Sequence, residues 1–172
     1  YNFYKGTILA LEGMIAFANN YADEAERLSK ECTDEKRKQE LLDIAKICRK
    51  VPAEPSETFR EAIQSFWFTQ LIIFIELNGR GMSPGRFDQY MYRPYLNEIS
   101  AGKITDDEVL EYLELLRIKC TELTRAHATF TESYLGGSIY QNMTLGGVDR
   151  YGRPAENQIS YLVLKAGINV RT

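Results

Sequence analysis

The chain has 172 residues, 44% of them hydrophobic and 26% charged, with a net charge of −3 and a single histidine. One domain with a sizeable core is the default at that length, and the mild acidity gives no reason to expect nucleic acid or an anionic membrane as a partner. Gln64, Gln70 and Glu76 interrupt the longest apolar run, so no stretch reaches the roughly 18 apolar residues that a spanning helix needs. Cys32, Cys48 and Cys120 are too few and too scattered for a disulfide framework or a zinc knuckle, and a reducing cytoplasm fits them. The start at Tyr1 rather than Met suggests a processed or excised chain.

Residues 1–30 predict an amphipathic helix, with Ile8, Leu11, Ile15, Ala18 and Ala22 at helical spacing. Thr33 and Asp34 can cap a second helix running to about Arg49, with Leu41, Leu42, Ile44, Ala45 and Ile47 as its stripe. Pro52 and Pro55 make a rigid connector. Ser56 is the expected cap of a third helix reaching to about Leu77. Phe59, Ile63, Phe66, Trp67, Leu71, Phe74 and Ile75 cover more than one face of it, so it should be buried on most sides.

Gly79, Gly81, Pro84 and Gly85 then predict a turn, with Arg80 held between two glycines at the mouth of a buried element. Phe87, Tyr90, Met91 and Tyr95 resume helical spacing as far as about Gly102. The capping box Thr105-Asp-Asp-Glu108 opens a long helix whose face carries Val109, Tyr112, Leu113, Leu116, Cys120 and Leu123. Ser138 to Leu145, bounded by Gly136-Gly137 and Gly146-Gly147, reads as a strand. Residues 149–154 read as a loop. Asn157 can cap a last helix from Gln158 to about Ala166, with Gly167 ending it. The fold class is therefore mainly α with a small β component. A single strand has no partner in such a chain, and its backbone groups must be satisfied; its sheet is expected to be completed by further sequence or by another chain.

No phosphate loop, dinucleotide fingerprint, serine elbow or His-Glu-x-x-His is present. His127 alone supports neither a triad nor a histidine metal site. Cys120 beside Glu122 could suggest radical or acid–base work, but its place on an apolar stripe favours packing. Arg80 and Arg86 either pair structurally, with Glu76 or Asp88, or anchor an oxyanion, which a guanidinium suits. Alternation puts Tyr140 and Asn142 on one face of the strand and Gln141 on the other; these polar residues either line a cavity or satisfy loop backbone.

Three segments carry a family resemblance: Val51-Pro-Ala-Glu-Pro with the helix Thr58-Phe-Arg-Glu-Ala-Ile-Gln-Ser-Phe-Trp67, Gly85-Arg-Phe-Asp-Gln-Tyr-Met-Tyr92, and Tyr140-Gln-Asn-Met-Thr-Leu-Gly-Gly147. Together they resemble the large domain of glycyl radical enzymes, on the glycerol and diol dehydratase side of the family rather than that of pyruvate formate-lyase itself. The resemblance implies the helical part and first strand or strands of a ten-stranded α/β barrel. It implies anaerobic radical cleavage of C–O, C–N or C–C bonds of a small substrate, with formate acetyltransferase activity as the alternative. It also implies a glycyl radical installed by an activating enzyme that uses S-adenosylmethionine and an iron–sulfur cluster. In such enzymes the radical passes to a cysteine in a Gly-Cys-x-Glu loop.

This sequence contains neither Gly-Cys-x-Glu nor the Arg-Val-x-Gly radical segment. Residues 1–172 are expected to be a partial domain, not competent alone, and to be dimeric or self-associating. Arg80, Gly81, Tyr140 and Asn142 are the expected substrate-side residues, with no catalytic residue and no metal ligand in the segment. Relatives of dehydratase type often carry His-Ser where this chain has Arg80-Gly81. The exchange points to an acidic substrate, or to Arg80 pairing a nearby carboxylate. The rival reading is a helical interaction module without chemistry.

Overall fold

The computed structural model describes residues 1–77, 82–123 and 141–171, with backbone alone for Met82 and Gln141. Helix α1 (Asn2–Glu31) pairs along its second half with α2 (Glu35–Lys50). Small residues make the approach close: Ala18, Ala22 and Ala25 meet Ala45, Cys48 and the ring of Phe68. Arg49 ties the pair at the rim through Asp23 and Glu26. The expected apolar stripe is buried only from Ala18 onward, because Ile8 and Leu11 stand 53% and 50% exposed, with nothing among the described residues packed over them.

Asp34 caps α2, accepting the Arg37 N–H at 3.0 Å. Helix α3 (Phe59–Glu76) is capped by Thr58, not by Ser56 as the sequence suggested. Thr58-Phe-Arg-Glu61 is a capping box in which the Thr58 hydroxyl accepts the Glu61 N–H at 3.1 Å and the Glu61 carboxylate accepts the Thr58 N–H at 3.3 Å. Ser56 has no acid three residues later to complete such a box. Lys50 reaches Glu61 at 3.0 Å and Glu57 at 2.8 Å, joining the end of α2 to the start of α3. The expectation that α3 is buried on most sides holds for Phe59, Ala62, Phe68, Gln70 and Phe74 but fails at its last turn, where Ile75 and Leu77 are each 56% exposed. On the other side of that turn Phe74 and Leu71 pack with Leu123.

The predicted turn after α3 contains a strand, β1 (Met82–Arg86), which lies parallel to β2 (Gln141–Thr144). Met82 pairs with Gln141, Gly85 with Met143 and Arg86 with Thr144, and an irregularity separates the first two pairs. The strand near the end of the chain thus has a partner within the chain, which overturns the expectation of an unpaired one. Pro84 lacks an N–H and is tolerated where a strand is bonded on one side and irregular. Gly85 adopts φ 71°, which would strain a side chain. Both features make β1 read as a turn. The parallel pairing needs a long crossover, and α4 (Phe87–Ser100) and α5 (Asp106–Glu122) lie on it.

The Thr105–Glu108 box forms as the sequence predicts, the Glu108 carboxylate accepting the Thr105 N–H at 2.8 Å. Helix α6 (Gln158–Val170) is capped by Asn157, as expected, but runs past Gly167 and ends at Arg171, φ 54°. Gly167 instead lets the Arg117 guanidinium of α5 lie across it, about 3.4 Å from where a Cβ would stand. Helices α3 to α6 enclose the main core of Phe59, Phe87, Met91, Val109, Leu113, Leu116 and Ile159. The rings of Phe66 and Phe87 meet edge to face at 5.1 Å.

Candidate substrate-side wall

Strand β2 has two unlike faces. Met143 packs against the main core, whereas Asn142 and Thr144 are exposed. That is the alternation expected of a strand with helices on one side only. Among the four residues expected to form the site, Asn142 is placed on the outer face; Arg80, Gly81 and Tyr140 lie outside the described residues, as do His127 and Ser138.

Two cavities flank this wall. One of about 470 Å³ lies beside β2, between Asn142, Met143, Leu116, Cys120 and Val163. The other, about 940 Å³, lies between α3 and α4 and is lined by Ser65, Tyr90, Arg93 and Asn97. Phe66, Gln70 and Pro84 border both. Burial pushes the Cys120 thiol up to about 11, against the opposing charge of Arg117. Glu122 pairs with Lys119 at 2.6 Å. A protonated, half-buried thiol and an engaged carboxylate fit the packing reading of that pair.

The residues that build the wall come from the Gly85–Tyr92 segment. Asp88, the second residue of α4, is fully buried. Its Oδ2 accepts the Gly146 N–H at 2.6 Å and the Ser160 hydroxyl at 2.5 Å. Gln89 donates from Nε2 to the Gly146 carbonyl at 3.1 Å, so consecutive side chains grip both ends of one glycine. Asn157 Nδ2 donates to the Asp88 carbonyl at 3.2 Å. Arg86 donates to the Val148 carbonyl at 3.3 Å instead of pairing with Asp88. The Tyr90 hydroxyl, pushed above its ordinary value by burial, donates to the Pro84 carbonyl at 3.0 Å. Gly146 and Gly147 turn the chain out of β2 at φ 67° and 84°. Sequence reasoning missed Asp88 and Gln89, because an acid in the first turn of a helix reads as a surface complement to the helix dipole. The available signal was its place between the aromatic residues Phe87 and Tyr90 of the Gly85–Tyr92 segment.

Among the described residues, helices pack on one face of a short parallel sheet and leave Asn142 and Thr144 exposed on the other, as in a piece of a barrel wall. A family model described as pyruvate formate lyase-like matches residues 1–172, and the chain belongs to that family. An indoleacetate decarboxylase from Tractidigestivibacter scatoligenes is 39% identical over 99% of this chain and 19% of its own length. The glycerol-bound B12-independent glycerol dehydratase from Clostridium butyricum superposes with a TM-score of 0.87 at 40% identity, over 93% of this chain and 20% of that one. A glycyl radical enzyme from Archaeoglobus fulgidus gives 0.88 at 38%, over 94% and 21%. The chain thus spans about a fifth of the length of the relatives it matches. The predicted fold class holds: a mostly helical piece of a glycyl radical enzyme barrel with a small parallel sheet. Among the described residues, no helix is long and apolar enough to cross a membrane.

Proposed function

We propose that this chain is a wall segment of a glycyl radical enzyme that cleaves a C–O, C–N or C–C bond of a small molecule by anaerobic radical chemistry. Residues 1–172 contain neither a Gly-Cys-x-Glu nor an Arg-Val-x-Gly sequence, and in this reading they shape the substrate pocket without carrying the reaction. The hydrogen-abstracting thiyl belongs to a cysteine outside this segment. The glycyl radical is installed by an activating enzyme that uses S-adenosylmethionine and an iron–sulfur cluster. The open face of β2, with Asn142 exposed on it and Met143 packed behind, is the observation that carries this reading.

In this reading Arg80 anchors an oxyanion or pairs a nearby carboxylate, Gly81 leaves space, and Tyr140 and Asn142 bond the substrate. Relatives act on both kinds of molecule, since indoleacetate carries a carboxylate and glycerol no charge. A fixed guanidinium favours the acidic class. The apolar faces left open on α1 and at the end of α3 are covered in the assembled enzyme, and the isolated segment associates with itself through them.

The test is anaerobic turnover by a full-length enzyme carrying this segment, on carboxylated substrates and on neutral diols. A preference for the carboxylated class is expected, with Arg80→Ala raising its KM by roughly tenfold or more through loss of a charged pair. Preference for a neutral diol, with Arg80→Ala harmless, would overturn the assignment.

A further inference from the structure

We propose that Asp88 is a positioning residue for the substrate-side strand: its buried carboxylate fixes the Gly146–Gly147 turn and thereby where Asn142 stands. The inference rests on the reading of Asn142 as a pocket residue. Asp88 begins the helix that follows β1, yet both bonds to its side chain come from beyond β2, from the Gly146 N–H at 2.6 Å and the Ser160 hydroxyl at 2.5 Å. Gln89 completes the grip at the Gly146 carbonyl. The clamp therefore runs from the end of one strand to the exit of its neighbour. Among the described residues β2 has no sheet partner but β1, so its exit is the point at which a side-chain bond can fix its position.

The other carboxylate oxygen, Oδ1, is buried with no hydrogen-bond partner among the described residues. Burying a carboxylate with one oxygen unbonded is costly, and a neutral side chain would close the same turn at less cost. What the carboxylate adds is two short, charge-assisted bonds converging on one oxygen, which restrict the Gly146 peptide more tightly than neutral bonds would. Asn142 stands four residues upstream of that peptide on a short strand, and small displacements of a substrate-facing group weigh heavily on productive binding. Asp88 acts through the backbone and touches no substrate.

Asp88→Asn keeps the shape and removes the charge. In a full-length enzyme carrying this segment, hydrogen exchange of the peptide covering residues 141–149 is expected to speed up by about tenfold at Gly146. KM is expected to rise by roughly fivefold to tenfold, kcat to change far less, and the glycyl radical content to stay the same. The deciding arm is the double variant. In an Asn142→Ala background, Asp88→Asn should raise KM by less than about twofold, because the two residues act through one contact. Gln89→Ala, which loosens the same glycine without disturbing the buried acid, should give the same pattern more weakly; it decides the matter if Asp88→Asn does not fold. Effects on KM that simply multiply, or an unchanged KM in Asp88→Asn, would overturn the proposal. An unchanged KM in Asn142→Ala alone would remove the pocket reading and the positioning role with it. Exchange at Gly146 would then report separately whether Asp88 holds the turn.

Discussion

Glu61 shows how much one carboxylate can organise. It caps α3, meets Lys50 at 3.0 Å and accepts the Glu57 N–H at 2.8 Å. Burial pushes its carboxyl up, but the Glu57 N–H, the Lys50 ammonium and the Thr58 N–H outweigh it, and the group sits below the ordinary carboxylate value. A carboxyl depressed in the folded state stabilises the protein at pH above its unfolded value, and that contribution is lost as pH falls through the folded value. Denaturant midpoints of the chain should therefore decline below about pH 4.5, and Glu61→Gln should flatten that decline while lowering stability at neutral pH. An equally steep acid limb in Glu61→Gln would remove Glu61 from the account. At this scale the sequence was legible where bonds are local, as at Asp34, Thr105 and Asn157. It offered Asp88 only a neighbour, Arg86, whereas its partners Gly146 and Ser160 lie 58 and 72 residues away.

At the scale of elements, caps and periodicity placed the helices, and the errors have local causes. The cap of α3 was assigned to Ser56 although the acid three residues on belongs to Thr58. Thr58→Ala should lower stability by about 1 kcal/mol, and Ser56→Ala by a few tenths at most. Chemical melts of the two variants check this, and the reverse order would restore Ser56 as the cap. Strand β1 was hidden because Pro84 and Gly85, which normally stop a strand, are accommodated by its irregular register with β2. Helix α6 outran Gly167 because that glycine serves the passage of Arg117, a contact no single-element pattern can display. Alternation alone puts Asn142 on the face opposite Met143; the bonds that Asp88 and Gln89 make to Gly146 have no such local sign.

At the scale of the molecule, the chain resembles a wall more than a closed bundle. Its main core lies between α3, α4, α5 and α6, and the sheet closes one side of it with two strands. Apolar side chains stay open at both extremes, with Phe3 79% and Ile168 73% exposed. Large exposed apolar patches mark surfaces that meet something else. The family assignment accounts for the pattern, since relatives about five times longer contain this unit as one part of a barrel. Composition and periodicity alone could not have distinguished that from a free-standing helical module; the family match over residues 1–172 does.

The central claim is that this segment shapes the pocket while the radical resides elsewhere. The most direct measurement is made on a full-length enzyme carrying Asn142→Ala, activated anaerobically, with glycyl radical content read by electron paramagnetic resonance beside substrate KM. The account predicts undiminished radical content with KM raised by roughly fivefold or more, the loss of one buried hydrogen bond to substrate. Unchanged KM at full radical content would contradict it.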